Sequence, residues 1–269
     1  MKLKVMTFNI CHGADYKALL KKYPLPLCFG YKESETLYSR PDIDAIVQEW
    51  QESVELEPVA QLINRLDCDI IALNEVRGDG EAYYYTNQAE YLANRTGRNF
   101  YFAQSVAFPG EGAYGTALLS QFPIKQAETI PIPPLSEEPE REARCLLKAI
   151  LEAEQEITVF ISHFGGLPSE QQMAVEVLLR ELIKVETPVL FLGDLNAVPE
   201  SEPLQGIYQR MDEAFGDENP ATFPSFHPMR KIDYIFASTP VQFDKATVVE
   251  EVISDHLPLV AEVEFDVGI

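Results

Sequence analysis

Ionisable and amide side chains stand at the ends of apolar runs in six places. They are Asn9 after VMTF, Glu75 in DIIALNEV, His163 after VFIS, Asp194 and Asn196 in VLFLGDLNAVPE, Asp233 inside KIDYIF, and Asp255-His256 before LPLV. Each alone reads as turn material, because short polar side chains bond to nearby backbone. As a set they ask for more, since an apolar strand ending in a charged group buries it at a cost unless that group is paired or holds a cation. The chain has 4 histidines (His12, His163, His227, His256), and two of them belong to this set. Carboxylate and amide oxygens without thiolates suit Mg²⁺ or Mn²⁺, and no HExxH or CxxC zinc spacing occurs. Two imidazoles among carboxylates suit a hydrolysis in which one His works near neutral pH and a metal withdraws charge from phosphate. The chain lacks GxxxxGK[ST], GxSxG and GxGxxG. These residues point to a hard-cation hydrolase and leave its reaction open.

Positioning them requires strands. LKVMTFNI (3–10), DIIALNEV (69–76), FYFAQSV and YGTALLS around the turn PGEG, the hairpin CLLKAILEA/EITVFISHF, the apolar 187–193, KIDYIFAS and VAEVEFDV all read as β. Helices are expected from Pro58 with a stripe of Val59, Leu62, Ile63 and Leu66, from Asn87 to Thr96 before Gly97, and from a Ser169/Gln172 capping box to about Lys184. Residues 13–51 read as an irregular insertion carrying PLPLCFGY and the sole tryptophan, Trp50, and Ser136 to Arg144 as a charged loop. Strand, helix and strand at 3–10, 58–66 and 69–76 are echoed at 157–164, 170–184 and 187–193, which suggests two sheets of related design. No linker divides them, so one domain over 1–269 is expected.

The 269 residues are 46% hydrophobic and 10% aromatic, as a packed core requires. Forty-three acidic against 21 basic residues, net −22, repel polyanions at long range, although a local basic cleft or a bound divalent cation reverses that nearby. A polynucleotide surface would need Arg95, Arg98, Lys125, Arg141, Arg144, Arg230 and Lys231 to converge. Cys11, Cys28, Cys68 and Cys145 are widely spaced, as buried thiols of a reducing compartment are. MKLKVMTFNICHG reads as a first strand instead of a signal peptide, and no segment is long enough to span a membrane. A cytoplasmic location without stable membrane insertion is expected. PLPLCFGY is the one apolar loop a membrane-acting phospholipase could expose, and it is expected instead to pack on the sandwich edge.

The ordered blocks TFN, NEV, GTALLS, REAR, SHF, GDLNA, IDYIF and SDHLPL resemble the endonuclease/exonuclease/phosphatase superfamily, which includes DNase-I-like nucleases, exonuclease-III-like repair enzymes, inositol polyphosphate 5-phosphatases and neutral sphingomyelinases. The resemblance runs from about Lys2 to Val263. It implies an α+β fold, a four-layered α/β sandwich of two packed, mainly antiparallel sheets flanked by helices. It implies a Mg²⁺ or Mn²⁺ site with Glu75 as principal carboxylate ligand, Asn9 on the same side and Asp255 as a direct or water-mediated ligand. Asp194 would orient or deprotonate the attacking water, and Asn196 would hold water or a phosphate oxygen. His256 would face the transferred phosphoryl group with Asp233 fixing its ring, His163 would contact phosphate or assist the leaving group, and Arg144 would reach the substrate phosphate.

The chain departs from the family at Asn74, where many members have Gln, and at NICHG, which lacks the second acidic residue of the abasic-site enzymes; His12 falls nearby. The resemblance and the acidic balance together imply a divalent-metal-dependent phosphohydrolase that cleaves a phosphoester or phosphodiester, its partner a phosphorylated small molecule. The alternatives are a metal-dependent endo- or exonuclease acting on nucleic acid and a catalytically idle phosphate-ligand binding module. The sequence identifies no protein partner.

Overall fold

The computed structural model describes residues 1–23, 41–135 and 141–265. The first half holds β1 (Lys2–Asn9), α1 (Tyr16–Lys22), α2 (Ile43–Glu52), α3 (Glu57–Leu66), β2 (Ile70–Gly80), α4 (Gln88–Thr96), β3 (Asn99–Phe108) and β4 (Gly112–Ser120). The second holds β5 (Ile124–Ile132), β6 (Arg144–Glu152), β7 (Glu156–His163), α5 (Pro168–Leu182), β8 (Val189–Asp194), α6 (Gln205–Tyr208), β9 (Asp212–Glu213), β10 (Asp233–Ala237), β11 (Val241–Val248) and β12 (Leu259–Phe265). They form two six-stranded sheets, ordered β11-β12-β1-β2-β4-β3 and β5-β6-β7-β8-β10-β9. The echo read in the sequence is a pair of βαβ units, because β1 pairs with β2 and β7 with β8 in parallel, whereas the other described pairings are antiparallel. A parallel neighbour needs a long crossover, and helices supply it here.

Side-chain alternation sorts the strands into layers. Leu3, Val5, Ile70, Ala72, Leu147, Val159, Ile161, Leu190, Leu192 and Ile235 pack between the sheets. Met6, Phe8, Ile71 and Leu73 point the other way, onto Val59, Leu62 and Ile63 of α3 and Leu92 of α4. Phe160, Phe191 and Phe236 do the same toward Ala174 and Leu178 of α5. Helices, sheet, sheet and helix make the four layers.

Three local expectations need correction. Residues 13–51 are not wholly irregular: Asp15 accepts a hydrogen bond from Ala18 N at 3.1 Å to cap α1, and α2 buries Ile46 and Trp50 beside Cys11 and Leu19. The segment PLPLCFGY and residues 136–140 lie outside the described residues. The capping box of α5 is not Ser169/Gln172. The helix begins two residues earlier, capped at Leu167 and starting on Pro168, which has no N–H to satisfy, and Glu170 reaches back to accept from Leu167 N at 3.0 Å. The sequence reading also passed over β5 and β11, sheet-edge strands whose half-exposed IKQAETIPI and VQFDKATV carry charges that blur alternation.

One buried charge pair lies under β9 and β10. Lys231 Nζ sits 2.8 Å from Glu213 Oε2, with each side chain 1% exposed, and over the rings of Phe215 and Tyr234. Breaking such a pair leaves a buried charge uncompensated, so Lys231→Ala is expected to lose roughly 3–5 kcal/mol of stability, and Lys231→Met with Glu213→Leu together far less. Denaturant unfolding of the two variants would check this; equal losses in the single and double exchanges would contradict it.

Candidate active site

The rows of side chains that fill the gap between the sheets change character at one end of the sandwich. On β1 the inner row runs Leu3, Val5, Thr7, Asn9; on β7 it runs Ile157, Val159, Ile161, His163; on β8 it runs Leu190, Leu192, Asp194. Strand β10, antiparallel to β8, brings Ile235 and then Asp233 to the same end. Register makes them neighbours, since Asp194 lies directly opposite His163 on one side and Asp233 on the other, and Asn9 opposite Asn74. The polar groups therefore meet because each lies on the inward row of its strand, beyond the apolar positions that fill the gap.

Glu75 joins them by breaking the rule. It would alternate outward after the inward Asn74, but its φ of 56° opens an irregularity in the β2/β4 pairing between Leu73 and Val76. Among the described residues, the non-glycine positions with positive φ are Cys11, His12, Asp67, Glu75 and Asn196, and all but Asp67 line one cavity. Such strain persists where the surrounding structure holds it, and its concentration here marks the site independently of residue type. Gly193 serves the same end: a Cβ there would meet Ser162 O at 1.9 Å, so only glycine lets β8 deliver Asp194 this close to β7.

Two buried amides tie the sheets together at this point. Asn9 Nδ2 donates to Glu75 Oε1 at 3.0 Å and to Asp194 Oδ2 at 3.1 Å, while its Oδ1 accepts from Cys11 N at 3.0 Å. Asn74 donates to Thr116 Oγ1 and Ser162 O and accepts from Asp194 N at 2.9 Å. The sequence reading noted Asn74 only as a variant of the family pattern. Its signal was its inward parity two residues after Ala72.

His256 Nδ1 lies 2.8 Å from Asp233 Oδ2, which also accepts from Thr222 Oγ1 at 2.6 Å, and its Nε2 lies 3.5 Å from Asp194 Oδ2. Burial works against its charge, yet Asp233 and Asp194 outweigh it and hold His256 protonated, well above the ordinary imidazole value. His163 is the opposite case: burial and the Arg144 guanidinium push it well below. Arg144 Nη1 stands 3.1 Å from His163 Nδ1. A guanidinium only donates, so Nδ1 accepts, and the ring proton sits on Nε2, 3.5 Å from Asp194 Oδ2. Asn196 Nδ2 spans His163 Nε2 at 3.1 Å and Phe164 O at 3.0 Å, and the carbonyl is its acceptor. Burial raises Asp194 to about 7 and Asp255 to about 6. Ser254 Oγ lies 2.7 Å from Asn9 O and 3.1 Å from Asp255 Oδ1, joining the SDH loop to β1.

The structure thus brings together Asn9, Glu75, Arg144, His163, Asp194, Asn196, Asp233, Asp255 and His256. All but Asn9 and Asp233 line one cavity of about 590 Å³, and those two sit directly behind it. Trp50 and Val47 of α2 form part of its wall, and His12 packs between Glu75, 3.9 Å away, and the Trp50 ring at 5.6 Å. Of the seven basic residues weighed for a polynucleotide surface, Arg141, Arg144 and Arg230 reach the cavity. Arg95 is held by Glu57, Arg98 by Cys68 O, Lys125 by Glu156, and Lys231 is buried.

A hard divalent cation fits these donors. Glu75 and Asp255 present carboxylate oxygens to the same cavity, the donor type that such an ion prefers. Asn9 spends both ends of its amide on the protein and acts on such an ion through Glu75. Asp194, Asp233 and His256 also place ligand atoms within 4.8 Å of one another, but His256 is bound there to Asp233 as a proton donor.

Comparison with known proteins identifies a family and a shared fold. A model of the endonuclease/exonuclease/phosphatase family matches residues 6–256. No curated protein matches the sequence significantly. Among solved structures, the fold is similar to that of an endonuclease/exonuclease/phosphatase from Beutenbergia cavernae (TM-score 0.71, 19% identity, 98% of this chain and 72% of that one). It is also similar to a mannosyl-6-phosphatase from Bacteroides thetaiotaomicron (0.68, 13%, 98% and 100%) and to TDP2 of D. rerio complexed with a single-strand DNA product (0.65, 15%, 98% and 99%). No helix among the described residues is long and apolar enough to cross a membrane.

Proposed function

The chain belongs to the endonuclease/exonuclease/phosphatase family, and from that premise we propose that it is a phosphohydrolase that uses Mg²⁺ or Mn²⁺ to cleave a phosphoester or phosphodiester of a small molecule by direct in-line attack of water. The observation that supports this best is the buried Asp194, flanked at 3.5 Å by a protonated His256 and by a neutral His163, at the mouth of a walled cavity.

Glu75, braced by Asn9, and Asp255 would hold the cation. When bound it supplies positive charge against the phosphoryl oxygens and lowers the pKa of water. The chain's own groups do the rest. Asp194 aims the attacking water and takes its proton, a role that its elevated pKa suits. Asn196, held by the loop after β8, positions that water. His256 donates Nε2–H to the charge growing on the phosphoryl group, while Asp233 fixes its ring. Arg144 gathers the phosphate, and His163, with its proton on Nε2, donates toward the leaving oxygen. No covalent phosphoenzyme forms.

A small substrate is preferred because α2 walls the cavity with Trp50, and four of the seven basic residues that a polynucleotide track would need are held away from it. The buried cysteines Cys11, Cys68 and Cys145 fit a reducing, cytoplasmic setting. Activity toward bis(p-nitrophenyl) phosphate and a panel of sugar phosphomonoesters should appear with Mg²⁺ or Mn²⁺ and vanish with EDTA. Hydrolysis that persists in the chelator would sink the metal-dependent reading. Efficient plasmid nicking that weakens steeply with salt would favour the nuclease alternative.

A further inference from the structure

Arg77 is the most deeply buried cation on the cavity wall, 3% exposed, two residues beyond Glu75 on β2. Its Nη1 donates to Gln51 O at 2.6 Å and approaches Tyr84 O at 3.4 Å, and its Cζ lies 5.0 Å and 4.8 Å from the ring centroids of Tyr84 and Tyr85. Nε is buried with no acceptor, and among the described residues no carboxylate forms an ion pair with the guanidinium. Glu111, which also borders the cavity, lies against the Tyr85 hydroxyl instead. Every other arginine of this wall except Arg230 has a carboxylate partner: Arg141 holds Glu170, and Arg144 holds Glu142 at 2.6 Å. A charge so buried is ordinarily paired, and ring faces and carbonyls compensate it only in part.

We propose that Arg77, with Tyr85 and Tyr114 beside it, is a second anion subsite in this cavity, and that the substrate is a small phosphoester whose non-scissile part carries another anionic group, a phosphate or a carboxylate. This rests on the catalytic reading above for which end is cleaved. Glu75 and Arg77 stand two residues apart on β2, roughly 7 Å of backbone, which sets the scale of a short linker between the two anionic groups. A guanidinium that touches the Tyr85 hydroxyl and whose Nε–H lacks an acceptor suits either oxyanion. The aromatic and low-exposure surroundings strengthen the attraction.

The test uses non-hydrolysable probes, so that binding is separated from turnover. 6-Phosphonohexanoate and hexylphosphonate have the same length and differ by the terminal carboxylate. Titration calorimetry of the full chain with Mg²⁺ present should give at least tenfold tighter binding of the carboxylated probe. In Arg77→Gln, which keeps a donor for Gln51 O and loses the charge, the ratio should fall to within twofold of unity. Arg77→Lys should leave an intermediate ratio, and it serves as the second reading if the first variant melts far below wild type. Equal affinities in wild type, no binding of either probe, or a ratio unchanged in both variants would overturn the subsite. The two readings fail separately. An Arg77-dependent ratio without hydrolysis of any phosphoester would remove the phosphohydrolase and keep the subsite, whereas metal-dependent hydrolysis with a ratio of one would do the reverse.

Discussion

Asp194→Asn is expected to lower kcat by roughly 10³- to 10⁴-fold with KM changed only a few fold, because a positioned proton acceptor is worth about that much and acts in the transition state more than in binding. The exchange keeps the shape of a side chain that is 1% exposed and accepts from Asn196 N at 2.9 Å, so collapse of the site is not the cause of the loss. Stability should move the other way. Burial raises this carboxyl to about 7 from an ordinary 3.8, so the folded state holds the proton more tightly than the unfolded chain does. Such a group stabilises fully below about pH 4, and its contribution is lost as the pH rises toward 7. At pH 8 in EDTA the amide variant should therefore melt a few degrees higher than wild type, and the gap should narrow when Mg²⁺ is added. Thermal unfolding and steady-state kinetics read the two effects together. A variant that is both less active and less stable in EDTA would indicate that Asp194 is an architectural residue, and a variant with wild-type kcat would remove it from the chemistry.

The second large effect is expected at the dyad behind it. Asp233→Asn should reduce kcat about 10²- to 10³-fold, His256→Gln about 10³-fold, and the double exchange scarcely more than His256→Gln alone. The reason is geometric. Asp233 lies behind the cavity and touches it only through His256, to which it presents Oδ2 at 2.8 Å while Thr222 fixes the same oxygen at 2.6 Å. An amide in its place removes the charge that keeps the imidazole protonated and can turn its N–H toward Nδ1, releasing the ring orientation. Thr222→Val should show a smaller loss of the same kind. A double-mutant cycle measures the coupling, and additive losses would mean that Asp233 reaches the reaction by another route.

Much of this site was legible in the chain. Asn9, His163, Asp194 and Asp233 each continue a period-two row that is apolar apart from Thr7, and the strand-helix-strand echo, read as two sheets of related design, is built as parallel pairs whose strand ends lie on one side. The turn composition of GDLNA was correct as well, with Asn196 in the left-handed region at φ 49°. The strands passed over, β5 and β11, lie at sheet edges, where one face and one side meet solvent and selection for alternation is weak. Residues 13–51 look irregular because α1 and α2 bury short stripes against Cys11 and Trp50, contacts distant from the strands whose pattern is strong.

What the sequence by itself determined about this protein is local: which residues alternate, where strands end in ionisable groups, and the ordered motifs of the family. Tertiary structure alone decided the charges. His163 and His256 are the same residue type at similar strand-end positions, yet one is neutral and the other protonated, because Arg144 faces the first and Asp233 the second. It also decided that Glu75 turns inward against its parity, that most of the scattered basic residues are spent away from the cavity, and that Arg77 is buried there with no carboxylate partner among the described residues. Periodicity reports a side chain's direction relative to its own backbone. Solvation and charge pairing depend on what another element brings within a few ångströms, and that is set when the two sheets and α2 close around the cavity.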